Sequence, residues 1–285
     1  MIQSMTGYGK SVIQLPSKKI SVEIKSLNSK SLDLNSRVPS SYREKELSIR
    51  NRLAKALTRG KVDFNLFLEI TGEATTSQLN QVAIKQYMQQ LKALVDGDET
   101  ELLKMAVRMP DALKTERDEI DETEFNKIME AVEEALTAIN EYRSDEGAVL
   151  QKDFLERTGT IEHLLNEVLE IDQQRIANVK ERLRNAVNEL KERVDENRFE
   201  QELIYYLEKY DITEEKVRLQ NHLNYFKEAI NSDDSNGKKL GFITQEIGRE
   251  INTIGSKANF APMQQLVVQM KDELEKIKEQ ALNVL

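Results

Sequence analysis

Hydrophobic and polar residues alternate in two stretches of the first 70 residues, "KISVEIKSLNSKSLDLNSRVP" and "KVDFNLFLEITG". Alternation with a period of two is typical of β-strands that bury one face. The predicted inner faces consist of seven apolar residues: Ile20, Val22, Ile24, Val62, Phe64, Leu66 and Leu68. These stretches therefore predict one half-buried sheet.

A helical pattern separates the two stretches. In "YREKELSIRNRLAKALTRG" basic residues fill the last turn and Gly60 follows as a stop signal. Its predicted inner face consists of Leu47, Asn51, Ala54 and Leu57. The first 70 residues thus predict a small α+β unit in the order strand, strand, helix, strand.

The rest of the chain is dominated by helical patterns. Two shorter helical stretches and a break at Pro110 come first, and strong helix formers then fill the chain from Glu124 to about Ile230. A run this long without caps predicts an extended antiparallel arm, and coiled-coil dimerisation is the competing interpretation. Asn and Gln interrupt the a/d seam and disfavour the coiled coil. A polar turn, "NSDDSNGKK", precedes the last helices.

The predicted fold class is α+β, with two domains. Residues 1–155 form a β-rich N-terminal α+β domain. Residues 156–285 form the helical arm and a C-terminal helical domain, with the candidate chemistry at about 205–260.

Composition limits the chemistry that the chain can carry. The sequence has no cysteine and only two histidines, so a metal would be held by carboxylates, carboxamides, water and imidazole. This ligand set favours Mg²⁺ or Mn²⁺ over structural zinc. The N-terminus lacks an apolar run of signal-peptide length and no window approaches a membrane span, so we expect a cytoplasmic protein with no membrane partner.

Charge is distributed unevenly along the chain. The net charge is −9, yet residues 1–70 contain 13 Lys and Arg against 6 Asp and Glu, whereas the remaining residues contain 28 against 44. Local positive charge attracts polyanions. The basic N-terminal quarter favours nucleic-acid binding, although many basic domains bind none.

The segment "GFITQEIGREINTIGSKANF" has the period of an amphipathic helix. Its predicted core-facing residues are Phe242, Ile243, Ile247 and Ile251. Its polar face combines acids, an arginine and carboxamides just before Gly255. One face of this helix therefore has the composition of a site.

Two pairs of polar residues have a spacing that predicts a metal site. Glu215 and His222 are seven residues apart on one helix, and Glu246 and Glu250 are four apart on the next, so each pair shares a face. If the two helices pack as a hairpin, one imidazole and three carboxylates converge on a site for a hard metal ion. The alternative is an ordinary network of surface and interhelix salt bridges.

Four segments resemble the YicC/YloC family of bacterial endoribonucleases: "MIQSMTGYGK", "SVEIKSLNSKSLDLNSRVP", "GKVDFNLFLE", and "DITEEKVRLQNHLNYF" with "GKKLGFITQEIGREINTIGSKA". The resemblance implies a metal-dependent enzyme that cuts single-stranded RNA internally within a ring-like homo-oligomer, a hexamer. It points to polar residues in the two C-terminal segments: Glu214, Glu215, Arg218, His222, Gln245, Glu246, Arg249, Glu250, Asn252, Ser256 and Lys257. Gly248 departs from the bulkier residue expected there.

The combined hypothesis assigns each candidate residue a role. The catalytic set is His222, Glu246, Glu250 and Arg249. The ligands of a Mn²⁺ or Mg²⁺ ion are Glu215, His222, Glu246 and Glu250. The RNA-binding set is Lys10, Lys25, Asn28, Lys30, Arg37, Arg218, Gln245, Asn252 and Lys257, in which Gln245 and Asn252 would orient ligands.

Three questions stay open at this point. Cleavage could use metal-activated water or the RNA's own 2′-hydroxyl, and in the second case His222 could be the general base. The chain could instead be a non-catalytic RNA chaperone or adaptor that presents RNA to another nuclease. A helical scaffold without salt-dependent RNA binding is a third possibility, and the basic N-terminal quarter counts against it.

Overall fold

Four strands near the N-terminus form one sheet in the order β1-β2-β4-β3. The structure is a computed structural model that describes residues 2–71, 78–95, 97–114, 121–189, 196–232 and 237–285. The strands of the sheet are β1 (Gly7–Gln14), β2 (Lys18–Leu27), β3 (Leu32–Arg37) and β4 (Gly60–Ile70). The β1–β2 and β2–β4 pairs are antiparallel, whereas β3 and β4 are parallel. The predicted alternation in β2 and β4 is confirmed, since Ile20, Val22 and Ile24 are buried.

The connection between the parallel strands is a 3₁₀ helix, Ser40–Lys45, followed by α1 (Glu46–Ala56). The predicted inner face of this helix is wrong for Leu47, Asn51 and Ala54, which are exposed, and is confirmed only for Leu57. Ile49 and Leu53 are buried against the sheet, whereas Leu47 is exposed. Ile49 and Leu53 are four residues apart, and the buried Leu57 continues this spacing after the helix ends. This apolar stripe determines which face of α1 meets the sheet.

Beyond the sheet the chain is mostly helical. The remaining elements are β5 (Gln78–Leu79), α2 (Gln81–Leu94), α3 (Glu99–Ala106), β6 (Leu113–Lys114), α4 (Glu122–Glu189), α5 (Glu196–Lys209), α6 (Thr213–Asn231), α7 (Gly237–Lys257) and α8 (Ala261–Ala281). The two shorter helices α2 and α3 pack on each other around a small core, and β5 pairs with β6. The predicted turn at 231–239 lies partly outside the described residues. The predicted α+β class is confirmed.

The helix α4 contains 68 residues and belongs to two cores. Its first part, from Phe125 to Ile139, covers the inner face of the sheet. Its middle part, from Leu150 to Val168, packs with α6, α7 and α8. The predicted division between residues 155 and 156 therefore falls inside one continuous helix. The predicted arm corresponds to the C-terminal part of α4 together with α5, where Arg175 Nη1 donates a hydrogen bond to the Tyr210 carbonyl at 2.9 Å.

The two ends of the chain meet beside the middle of α4. Ser4 and Val284 form an antiparallel β-bridge, and the Met5 amide donates to the Asn283 carbonyl at 2.7 Å. Gly147 of α4 lies directly beneath this crossing, because a Cβ atom there would be 2.1 Å from the Ile2 carbonyl oxygen. Only a glycine allows the N-terminal segment to approach α4 so closely.

Two glycines of α4 provide a matched test of this close approach. We expect Gly147→Ala to lower the free energy of unfolding by about 1–3 kcal/mol, because the added methyl group overlaps with backbone. Gly159 has no atom within 4 Å of the Cβ position, so Gly159→Ala should raise that free energy by up to about 1 kcal/mol through helix propensity. Urea unfolding followed by far-UV circular dichroism measures both. Equal effects of the two substitutions would contradict the close contact.

Candidate functional site

The helices α6 and α7 pack side by side in opposite directions. Lys257, at the end of α7, contacts Glu215 near the start of α6. Lys239, near the start of α7, places its Nζ 5.8 Å from the ring centroid of Tyr225 in the second half of α6. His222 lies between these two contacts, opposite the middle of α7. The two helices therefore form the hairpin that the sequence predicted.

Apolar residues fix the rotation of both helices about their axes. The buried faces are formed by Leu219, Leu223, Phe226 and Ile230 in α6 and by Leu240, Ile243, Ile247, Ile251 and Ile254 in α7. Gly248 lies on the buried face of α7, where a Cβ atom would be 3.2 Å from Cδ2 of Leu274 in α8. The glycine permits close packing there, and the polar edge of α7 is left facing α6.

Three polar side chains converge between α6 and α7. One ligand atom from each of His222, Glu246 and Glu250 lies within 4.8 Å of the other two. Three oxygen or nitrogen ligands about 2.1 Å from one metal ion lie about 3 to 3.6 Å from one another. Ligand atoms within 4.8 Å of one another would therefore have to approach by at most about 1 to 2 Å to bind one ion. We call these three residues the His–Glu–Glu cluster.

The members of the cluster differ in burial and in partners. Glu250 is 4% exposed, Glu246 is exposed and His222 is half-buried. Neither Glu250 nor His222 has a hydrogen bond or ion pair to another residue in the part of the chain that the structure describes. Among the described residues Glu246 pairs with Arg249 alone, whose Nη1 is 4.0 Å from its carboxylate. The carboxylate oxygens and imidazole nitrogens of the cluster are therefore available to bind a metal ion.

The fourth predicted metal ligand, Glu215, lies outside the cluster. Its Oε1 accepts a 2.8 Å hydrogen bond from Lys257 Nζ, which also donates to the Asp211 carbonyl at 2.9 Å. Seven residues of helix separate Glu215 from His222, a distance of about 10 Å along the axis. Because Lys257 is paired with this buried acid, it is not a freely projecting phosphate contact.

The remaining C-terminal candidates lie on the rim or on another face. Arg249 is 73% exposed, and Arg218 is exposed and paired with Glu214 one turn away. Gln245 and Asn252 are seven residues apart and share an exposed side of α7. One residue corresponds to a rotation of 100° about a helix, so this side is turned away from Glu246 and Glu250. The structure does not bring the two carboxamides to the cluster.

The N-terminal candidates lie mainly on the outer face of the sheet. Lys10, Lys25 and Arg37 are exposed there, and Lys30 is exposed in the β2–β3 connection. Lys10 pairs with Glu23 at 3.0 Å, and this hydrogen bond raises the pKa of Lys10. Lys25 Nζ lies 5.7 Å from the Tyr8 ring centroid.

Asn28 has a structural contact instead of a free side chain. Its Nδ2 donates a 2.7 Å hydrogen bond to the Leu282 carbonyl, which ties the sheet to the C-terminal residues. The sequence offers no signal for this contact, because its partner is a backbone atom 254 positions away.

Part of the positive charge of the first 70 residues is already paired within the fold. Lys18 contacts Glu124, Lys45 contacts Glu122, and Arg52 contacts Glu133. All three acids belong to α4. The positive charge available to a polyanion is therefore smaller than the sequence count implies.

Arg143 is a buried cation that the sequence analysis did not single out. Its Nη2 donates a hydrogen bond to Ser26 Oγ. Among the residues that the structure describes, no acidic side chain pairs with Arg143. Burial lowers the pKa of this guanidinium. It lies where the N-terminal segment, the sheet and α4 meet, away from the His–Glu–Glu cluster, and its role there is structural.

Comparison with known families gives matches over both parts of the chain. Residues 168–285 match the model described as "Endoribonuclease YicC-like, C-terminal", and residues 2–152 match "Endoribonuclease YicC-like, N-terminal region". The chain belongs to the YicC-like endoribonuclease family. The break between the two family regions, like the predicted domain division, falls within α4.

Two full-length relatives support the family assignment. The chain is similar to the probable endoribonuclease YicC of Clostridioides difficile (strain 630), with 34% identity over 293 residues. It is also similar to the probable endoribonuclease YicC of Haemophilus influenzae, with 28% identity over 287 residues. Both alignments cover 100% of each chain. Among the helices that the structure describes, none combines the length and the apolar character needed to cross a membrane.

The Glu215–Lys257 pair makes a prediction about stability. The second oxygen of Glu215, Oε2, is buried without a hydrogen-bond partner among the described residues. Replacing Lys257 by Met leaves the carboxylate without its cation, so we expect the free energy of unfolding to fall by about 1–3 kcal/mol.

The control for this prediction is Arg218→Met, which removes an exposed pair and should change the free energy of unfolding by less than about 0.5 kcal/mol. Adding Glu215→Gln to Lys257→Met should recover part of the loss, because the neutral amide costs less to bury. Thermal and urea unfolding give both values. A Lys257→Met protein as stable as the Arg218→Met protein would show that the buried pair contributes nothing.

Proposed function

We propose that the protein is an endoribonuclease that cuts single-stranded RNA internally and uses a divalent metal ion, Mn²⁺ or Mg²⁺, at the His–Glu–Glu cluster. Family membership supports the activity class. The metal ion is supported by one observation above all: one ligand atom from each of His222, Glu246 and Glu250 lies within 4.8 Å of the other two, and no Lys or Arg pairs with Glu250 in the described part of the protein. Neighbouring carboxylates repel each other, and a bound cation relieves that repulsion.

A comparison within the same helix pair strengthens this argument. Glu215 and Glu250 are both buried acids that face the opposite helix. Lys257 pairs with Glu215, whereas among the described residues no Lys or Arg pairs with Glu250, which lies beside His222 and Glu246. Two carboxylates and an imidazole suit Mn²⁺ well, and carboxylates with water suit Mg²⁺. The residues present therefore fit the metal that the family resemblance implies.

The bound ion would polarise the phosphodiester and lower the pKa of a water molecule. His222, Glu246 and Glu250 would hold the ion in the groove between α6 and α7. Arg249 and Arg218, exposed on the two sides of this groove, are placed to bind the phosphates of the RNA strand by charge-assisted hydrogen bonds. If the 2′-hydroxyl attacks, His222 is also the candidate general base, since imidazole is the side chain that most often accepts a proton in catalysis.

The sheet and the assembly complete the proposal. Exposed Lys10, Lys25, Lys30 and Arg37 would guide the negatively charged strand, which predicts weaker RNA binding at higher salt. The family resemblance implies a ring-like homo-oligomer, a hexamer, and analytical ultracentrifugation would give the number of copies directly.

The first experiment is cleavage of a short labelled single-stranded RNA in Mn²⁺, Mg²⁺ or EDTA. We expect cleavage with metal and none in EDTA. Glu250→Gln and Glu246→Gln should each lower the rate by at least about 100-fold, because loss of one metal ligand removes several kcal/mol of charge stabilisation. Glu228→Gln, an exposed acid on α6, is the control and should cut like the unchanged protein.

Measurements of folding and RNA binding distinguish an endoribonuclease from a non-catalytic chaperone or adaptor. Circular dichroism and RNA-binding affinity should be retained in all three variants. Equal cutting by Glu250→Gln would place catalysis elsewhere, and tight RNA binding without cutting in any metal would favour the chaperone or adaptor. A 2′-deoxy nucleotide at the cut site blocks attack by the 2′-hydroxyl and leaves attack by water intact.

A further inference from the structure

Two large aromatic side chains remain exposed beside the His–Glu–Glu cluster. Phe242 is 59% exposed and Tyr225 is 48% exposed. The sequence predicted that Phe242 faces the core, and this prediction is wrong. The five aliphatic residues with large side chains in α7 are buried: Leu240, Ile243, Ile247, Ile251 and Ile254. Phe242 is thus the one large apolar side chain of this fully described helix that projects into solvent.

Both aromatic residues project from the helix edges that form the cluster. Phe242 precedes Glu246 by four residues, so the two side chains share one stripe of α7, about 6 Å apart along the axis. Tyr225 follows His222 by three residues, about 4.5 Å along α6. The contact of Lys239 Nζ with the Tyr225 ring shows that the first turn of α7 lies beside this part of α6. The two rings are therefore at the same end of the groove, next to the cluster.

The chemistry at this end of the groove differs from that at the other end. At the other end, near Asp211, the ion pair between Lys257 and Glu215 lies between the helices. At the aromatic end, the ammonium group of Lys239 lies 5.8 Å from the Tyr225 ring centroid, and Phe242 projects from the same end of α7. Aromatic faces accompanied by positive charge are what proteins use to stack the bases of single-stranded RNA.

We infer that Tyr225 and Phe242 bind one unstacked nucleobase of the RNA, a neighbour of the phosphodiester held at the His–Glu–Glu cluster. This inference rests on the proposed function and adds the base-binding subsite to it. A base in a duplex is stacked on both sides and cannot enter, so the two aromatic residues give a physical reason for a preference for single strands. Stacking depends little on base identity, so the subsite selects unpaired RNA and not a sequence.

The test uses the double variant Tyr225→Ala/Phe242→Ala and a set of short labelled RNAs in which a single abasic residue is moved through the positions around one cut site. Binding is measured in EDTA by fluorescence anisotropy, so that the RNA stays intact, and cleavage is measured separately with Mn²⁺. The unchanged protein should bind one abasic RNA about 5- to 100-fold more weakly than the parent RNA. The double variant should bind the parent RNA about as weakly and should no longer distinguish that abasic RNA from it.

Conservative variants and a matched control separate stacking from a general structural effect. Tyr225→Phe and Phe242→Tyr keep an aromatic face and should retain both the affinity and the abasic penalty. Val217→Ala removes a similarly exposed apolar side chain from α6 and should have no effect. Mn²⁺ affinity should be the same in all variants, because none of them removes a metal ligand.

Three results have distinct meanings. An abasic penalty of the same size in the unchanged protein and in the double variant would overturn the base-binding role. A change in the size of the assembly on gel filtration, without any change in the abasic penalty, would assign the two rings to contacts between copies and would overturn it as well. If the unchanged protein cuts no RNA in any metal, the proposed cleavage fails, whereas the binding data still support or overturn the base subsite on their own.

Discussion

The burial of one continuous helix in two separate cores is the constraint on which the rest of the structure depends. The first part of α4 packs against the inner face of the sheet, and its middle part packs against the C-terminal helices. Between the two cores, Gly147 lets the N-terminal segment pass directly over the helix, and the bridge between Ser4 and Val284 joins both ends of the chain there. The sheet and the C-terminal helices are thus held in one arrangement because both bury apolar surface against α4.

The candidate site depends on this packing in a specific way. Isoleucines on one side of α7 fix its rotation, and that rotation places Glu246 and Glu250 against His222. The same packing leaves Glu250 only 4% exposed. The apolar residues of α7 therefore determine both the position and the burial of the two acids in the cluster.

Much of this architecture could be predicted from the sequence, and the failures have physical causes. Alternation revealed β2 and β4 because their inner faces are aliphatic, but β1 was missed because small residues, Gly7, Gly9 and Ser11, occupy inner positions where α4 comes too close for larger ones. Spacing within a helix correctly placed Glu246 beside Glu250. It could not show that Glu215 pairs with Lys257, since that depends on how far two helices slide along each other. Phe242 lies 100° around α7 from Ile243, at the edge of the apolar stripe, and periodicity alone does not determine on which side of that edge the core ends.

The continuity of α4 also limits how the length of such a chain can change. One residue inserted between Ile139 and Phe154 would turn everything after it by 100° and move it by 1.5 Å relative to the sheet. The β-bridge at the chain ends, the hydrogen bond from Asn28 and the passage over Gly147 would all lose their alignment together. This stretch of helix therefore fixes the distance between the outer face of the sheet and the groove that contains the His–Glu–Glu cluster. Surface loops elsewhere are the places where the chain can grow or shrink without changing that distance.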